Sequence, residues 1–159
     1  MAEPMTPTPT IYYRRSSFVT HLPTGHWYSP AHAWIARQAD GLWHVGLTKF
    51  SVRMLGDMVD HGWELAPGAA VGPGQILGWI EGFKAISDLY CIANGEFAGG
   101  NPALKERIQV VNKNPYDEGW LYAVRGEPDS QCMDVTAYQQ LLDRTIDRIL
   151  EQQKTDAEG

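Results

Sequence analysis

Two short runs of large, β-favouring residues flank a polar bend near the middle of the chain. Gln75-Ile76-Leu77-Gly78-Trp79-Ile80-Glu81 precedes it, and Ile86-Ser87-Asp88-Leu89-Tyr90-Cys91-Ile92 follows it. The pattern predicts a β-hairpin, with Gly82 supplying backbone freedom for the turn and Lys84 at the tip, solvated and without a buried carboxylate to neutralise it. Earlier in the chain, β-rich patterning begins at about Tyr28, with a strand over Ala33 to Arg37, a turn at Asp40-Gly41 and a strand over Leu42 to Leu47. Thr48 is placed to cap a short helix running to about Leu55, with Phe50, Met54 and Leu55 on its apolar side. Pro67-Gly68 and Gly72-Pro73-Gly74 punctuate the approach to the hairpin. Beyond it, Asn94-Gly95 reads as another tight turn, and Gly119 leads into a strand over Trp120 to Val124. Near the end, Asp134 is placed to cap an amphipathic helix in which Val135, Tyr138, Leu141, Leu142, Ile146 and Ile149 share one stripe. That stripe suits packing on the rest of the domain or, alternatively, a partner. The last turn of the helix and the polar tail after Glu151 are expected to fray, and Met1 to Thr10, rich in Pro and Thr, to be disordered.

Composition narrows the class. At 159 residues and 43% hydrophobic content the chain can bury one core, and its length does not call for a second domain. A net charge of −6 argues against nucleic acid or an anionic membrane as partner, since both want a basic stripe. No apolar run reaches membrane-spanning length, and the N-terminus lacks a basic region followed by a hydrophobic one. Cys91 and Cys132 are far apart and form no Cys-x-x-Cys, so they read as reduced thiols of a cytoplasmic protein. His21, His26, His32, His44 and His61 show no paired metal-ligand spacing, and no metal site is expected. Gly72-Pro73-Gly74 with Gly78 fails the dinucleotide fingerprint, because a strand rather than a helix follows. The six tryptophans lack a basic groove and suit the core and hairpins better than stacking on bases or sugars. No nucleophile and base can be nominated as a pair, so an enzyme ranks last.

A lone lysine between two strands is ordinarily just a turn residue. Its neighbours suggest more. Glu81, Lys84, Ala85, Ser87, Asp88, Leu89 and Tyr90 match a Glu-Ser-Val-Lys-Ala-Val-Ser-Asp-Leu-Tyr type of segment. Tyr28-Ser29-Pro30 with His32 and Trp34, Val45-Gly46-Leu47-Thr48, Leu55-Gly56-Asp57, Asn94-Gly95-Glu96, and Asn114-Pro115-Tyr116 with Glu118-Gly119-Trp120-Leu121 follow in the same order. On these words the chain resembles the H protein family of the glycine cleavage system over roughly residues 27 to 145.

The resemblance implies a mainly β fold: a flattened lipoyl-type β-barrel or sandwich with a few short helices and a C-terminal helix. It implies an N-terminal extension over 1–26, partly disordered, a lipoyl-carrier domain over 27–126, and a C-terminal helix with a polar tail over 127–159. It also implies lipoate attached covalently to Lys84 and a carrier that catalyses nothing itself. The implied partners are a lipoate ligase or lipoyl transferase, glycine decarboxylase, an aminomethyltransferase and dihydrolipoyl dehydrogenase. Glu81, Asp88 and Ser87 fall in the family's recognition region, although Glu81 and Asp88 also suit plain solvated strand ends and Ser87 also suits merely shaping the strand. Biotinylation would want methionines beside the lysine, where Phe83 and Ala85 stand.

Two positions depart from the family pattern. Where H proteins carry a His-Glu-Trp word whose glutamate faces the loaded arm, this chain has His32-Ala33-Trp34. Phe50 stands where some members place a histidine lining the same cleft. An amine cargo wants a polar neighbour, and Ala33 and Phe50 offer an apolar wall that Asp88 offsets only in part. The alternatives are therefore an H-like lipoate-binding protein of another pathway, such as bacterial sulfur oxidation, or an interaction module that is never lipoylated.

Overall fold

The computed structural model describes residues 8–158. Three antiparallel sheets organise them. The largest has six strands in the order β3 (Trp27–Tyr28), β4 (Ala33–Arg37), β5 (Trp43–Leu47), β11 (Tyr122–Pro128), β10 (Ala93–Gly100) and β7 (Ala70–Val71). A second sheet pairs β6 (Met58–Trp63), β8 (Ile76–Gly82) and β9 (Ile86–Tyr90) in that order, and β1 (Thr10–Arg15) pairs only with β2 (Phe18–Pro23). Helix α1 (Lys49–Leu55) links β5 to β6, the short helix α2 (Val110–Lys113) precedes β11, and α3 (Val135–Glu158) closes the chain. The sheets do not close on one another, and the arrangement is mainly β and sandwich-like, as the resemblance implies.

Strand β4 shows how the layers are built. Side chains alternate across a strand, and here both sides are buried. Ala33 and Ile35 join a core with Val45, Leu77, Ile80 and Leu89, between the two larger sheets. Trp34 and Ala36 enter a second core with Tyr13, Phe18, Tyr138 and Leu142, formed by the β1–β2 hairpin and α3. The Trp34 indole N–H is satisfied by the Pro115 carbonyl at 2.8 Å.

Both predicted caps form. Thr48 Oγ1 accepts from the Ser51 N–H, and Asp134 accepts from the Ala137 N–H at 2.9 Å. On α1 the buried side chains are Phe50, Val52 and Leu55, while Met54 is exposed rather than packed.

Three expectations are corrected. Thr10 opens strand β1 rather than closing a disordered segment, and the β structure starts well before Tyr28. Residues 1–7 lie outside the described residues. Asn94-Gly95 is no turn: both lie inside β10, and Gly95 sits opposite Gly126 of β11. A Cβ on Gly95 would stand 2.1 Å from the Arg125 carbonyl oxygen, so the glycines serve close strand approach. Helix α3 does not fray at Glu151 but runs to Glu158, although residues 151–158 are all exposed. There the Thr155 hydroxyl donates to the Glu151 carbonyl, and Gln152 donates to Asp156.

Candidate functional site

Lys84 lies at the tip of the β8–β9 hairpin, where the sequence predicts it. The turn closes through the Gly82 N–H, which donates to the Ala85 carbonyl at 2.9 Å. The tip is then pinned to the end of α1: the Lys84 N–H donates to the Leu55 carbonyl at 2.8 Å, and the Phe83 N–H to the Asp57 carbonyl at 3.0 Å. The last carbonyls of a helix have no intrahelical partner, so the Lys84 N–H satisfies one such group at Leu55, and the Phe83 N–H holds the segment that leaves the helix. Gly82 is needed for this approach and not for turn flexibility, because its backbone angles are ordinary and a Cβ would stand 2.2 Å from the Leu55 oxygen.

The Lys84 side chain is exposed, and its Nζ donates to the Arg53 carbonyl at 3.2 Å. Among the described residues no carboxylate forms an ion pair with it. The site is therefore one amine, rooted in a rigid tip and held by nothing stronger than a solvated hydrogen bond.

The residues predicted beside it separate onto two faces. Glu81 pairs with Ile86 and Trp79 with Asp88, which puts Glu81 and Asp88 on the outward face of the sheet. Ser87 alternates with them on the side of buried Leu89, and its hydroxyl donates to the Asp88 carbonyl at 2.9 Å. Two further residues escaped the sequence reading: Phe83 is 81% exposed and Ile86 68% exposed, both beside the lysine. Large apolar side chains held in water mark a candidate contact surface, and their signal was simply their place at the turn and the start of β9.

A cleft of about 300 Å³ opens along β9 from Ser87, three residues beyond Lys84. Helix α1 forms one wall through Phe50, Ser51 and Met54, and the turn before β4, with the start of that strand, forms another through Ala31, His32 and Ala33. The structure thus brings both departures from the family pattern, Ala33 and Phe50, to the same cleft together with Ser87 and Asp88. The lining is mostly apolar, which suits a hydrocarbon arm ending in a dithiolane.

His32 is a polar member of the lining, beside Ser51, Ser87 and Asp88, that sequence reasoning left out. Its backbone is left-handed, with φ 65°, and its ring lies 4.6 Å from Phe50 and 5.6 Å from Tyr138. Nδ1 is 2.9 Å from the Tyr138 hydroxyl, and burial lowers the imidazole pKa to about 4. The wall is therefore not wholly apolar, as residue types alone suggested. Elsewhere, burial raises the thiols of Cys91 and Cys132, the latter to about 11, and both are free. No helix among the described residues is long and apolar enough to cross a membrane.

Comparison with known proteins gives a consistent result. The family model described as glycine cleavage H-protein matches residues 26–145. The glycine cleavage system H protein of Salmonella arizonae is 34% identical over 128 residues, covering 79% of this chain and 98% of that protein. That of Salmonella typhimurium gives the same identity and coverage. Among solved structures, a glycine cleavage system H protein from Mycobacterium marinum superposes with a TM-score of 0.65 at 31% identity, covering 74% of this chain and 95% of that one.

Proposed function

Because this chain belongs to the glycine cleavage H-protein family, whose members carry covalently attached lipoate, we infer that Lys84 is the residue to which its lipoyl group is joined. The protein is a lipoyl carrier of the glycine cleavage system and not itself a catalyst. The observation that carries the assignment to Lys84 is an exposed amine without an ion-pair partner among the described residues, on a hairpin tip fastened by one backbone hydrogen bond to the last residue of α1 and by another to Asp57 just beyond it. When bound, a lipoyl group supplies a dithiolane that opens to two thiols and so takes up an aminomethyl group or two electrons.

The chain's own residues do the rest. The tip fixes the root of the arm, since Phe83 and Lys84 cannot leave α1 without exposing the Asp57 and Leu55 carbonyls. The outward face around Glu81 and Asp88, with Phe83 and Ile86, is the surface that the lipoate ligase or lipoyl transferase reads, Ser87 shaping the strand behind it. The same face meets glycine decarboxylase, the aminomethyltransferase and dihydrolipoyl dehydrogenase in turn. The apolar cleft beside β9 shelters the loaded arm from water. The two free thiols support a cytoplasmic setting.

Peptide mass spectrometry of protein from its native host tests the assignment. A lipoyl increment on the peptide holding Lys84, absent in Lys84→Arg, is the expected result, because a guanidinium does not accept the amide. The variant should keep its stability to within about 0.5 kcal/mol, since the side chain is exposed. An unmodified lysine in cells that lipoylate their other carriers, or a lipoylated Lys84→Arg protein, would overturn it.

A second reading is favoured by Ala33 and Phe50: a lipoyl carrier whose cargo is not an amine. Incubating lipoylated protein with glycine and glycine decarboxylase separates the two, since only the aminomethyl carrier gains the corresponding mass.

A further inference from the structure

We propose that Asn112, on α2, is a positioning residue for Lys84: it sets the place of the amine for modification by clamping the corner between α1 and β6 on which the lysine tip rests. The proposal rests on the reading of Lys84 as the attachment site.

The hydrogen bonds that Phe83 and Lys84 donate end on one short stretch of chain. The Lys84 N–H reaches the Leu55 carbonyl, the Phe83 N–H the Asp57 carbonyl, and the Lys84 Nζ the Arg53 carbonyl. The lysine stem also packs on Gly56, where a Cβ would stand 3.0 Å from Lys84 Cγ and 3.1 Å from the Lys84 backbone nitrogen. Gly56 has φ 81°, so its conformation favours glycine as well. Where residues 55–57 sit therefore decides where the amine starts.

That corner is held from α2. The β6–β8 ladder slips between Met58 and Asp60, so regular pairing does not fix the entry into β6. Both backbone polar groups of Met58 meet side chains of the α2 segment: its N–H donates to Asn112 Oδ1 at 2.9 Å, and its carbonyl accepts from Gln109 Nε2 at 2.7 Å. Asn112 Nδ2 reaches across the corner and donates to the Gly56 carbonyl at 3.4 Å. An N–H only donates and a carbonyl only accepts, so the Asn112 amide has one orientation that satisfies both ends. Gln109 secures the strand side alone, whereas Asn112 ties the helix side to the strand side.

The clamp has a firm base. A helix of four residues has little stability of its own, and α2 is set by Val110 and Val111, both buried in the core between the sheets. Asn112 also lines the hollow of about 480 Å³ beside Lys84, with Gly56, Asp57 and Phe83.

The consequence is geometric. Glu81, Ile86 and Asp88 belong to paired strands, whereas the amine belongs to a tip located by the corner. In the modification, neutral Nζ attacks the carbonyl of an acyl-adenylate, the amide C–N bond forms, AMP leaves and one proton passes to water. An enzyme docked on the strands finds Nζ in line for that attack only while the corner is held, and misplacement by about 1 Å costs on the order of a hundredfold in rate. Loss of the clamp slows transfer without weakening docking.

The test measures steady-state lipoylation of the unmodified full chain by a lipoate ligase with lipoate and ATP, read by intact mass. Asn112→Ala should lower kcat at least about tenfold and leave KM for the protein within about twofold. Asn112→Asp, of the same shape, keeps the acceptor for Met58 and loses the donor to Gly56; its kcat should also fall, and it carries the test alone if Asn112→Ala does not fold. Amide hydrogen exchange should quicken at Phe83 and Lys84 in these variants and stay unchanged at Leu89. Val111→Ala removes core packing on the same helix and none of these bonds, so it serves as the stability control and should keep the wild-type kcat. An unchanged kcat in the folded Asn112 variants overturns the proposal, as does a loss carried in KM or an equal fall in Val111→Ala. A wild-type chain left unmodified by a ligase that modifies other lipoyl domains is a different outcome: it overturns the reading of Lys84 itself, and the proposal with it.

Discussion

His32 shows how much one side chain's surroundings change its chemistry. In the folded protein burial lowers its pKa to about 4, whereas an unfolded chain's imidazole titrates near about 6.5. Between those values the unfolded state binds more protons, so this contribution to stability is complete above the unfolded pKa and is lost as pH falls toward the folded one. The whole shift corresponds to about 3 kcal/mol. Urea unfolding from about pH 7 down to about pH 4.5 should therefore show a larger stability loss in the wild type than in His32→Asn. His26, His44 and His61 are also lowered by burial, but they are common to both proteins and cancel in the comparison. Equal slopes would mean that the ring is not buried in solution. The contrast with Lys84 is instructive: its place between two β-favouring runs is a local pattern and could be read directly. The surroundings of His32 depend on a positive φ and on Tyr138, 106 residues away, and neither is a local pattern.

The lysine hairpin and the end of α1 act as one unit, because the Lys84 N–H completes the Leu55 carbonyl and the Phe83 N–H holds Asp57 just after the helix. Gly82→Ala should therefore cost about 1–3 kcal/mol by overpacking and should lift the tip from α1. Hydrogen exchange reports this directly: faster exchange of the Phe83 and Lys84 amides is expected, and unchanged protection would show that the tip is not held by α1. Elements with strong local signals were legible. The β4 strand occupies the predicted Ala33–Arg37 span, and Thr48 and Asp134 cap the helices expected of them. Misreadings arose where one residue type serves two purposes. Asn-Gly favours a turn in isolation, but Gly95 faces Gly126 across the ladder and is needed for backbone approach. The β1–β2 hairpin was missed because it turns at Ser16-Ser17 without a glycine, although Ile11, Tyr12, Phe18 and Val19 carry β propensity.

The assembled protein has two cores that share β4, and α3 belongs to the second. Tyr13 on β1 donates to Asp143 of α3 at 2.7 Å, and Tyr138 stacks on Tyr28 with centroids 4.6 Å apart. Leu142 is completely buried there, so Leu142→Ala should cost about 2–5 kcal/mol in urea unfolding. A loss below that range would mean α3 packs loosely. Because α3 also supplies the Tyr138 hydroxyl, its seating reaches the cleft wall: the same variant should broaden the His32 imidazole resonances. The hydrophobic periods, the capping residues and the words around Lys84 were enough to indicate the mainly β class, the terminal helix, the family and the place of Lys84 at a hairpin tip. Each of these rests on residues close together in the chain. The cleft, the two-faced burial of β4 and the hydrogen bond between His32 and Tyr138 were decided only by tertiary packing. They depend on which distant segments meet and at what distance, and hydrogen-bond geometry varies over a few tenths of an ångström that no pattern of residue types encodes.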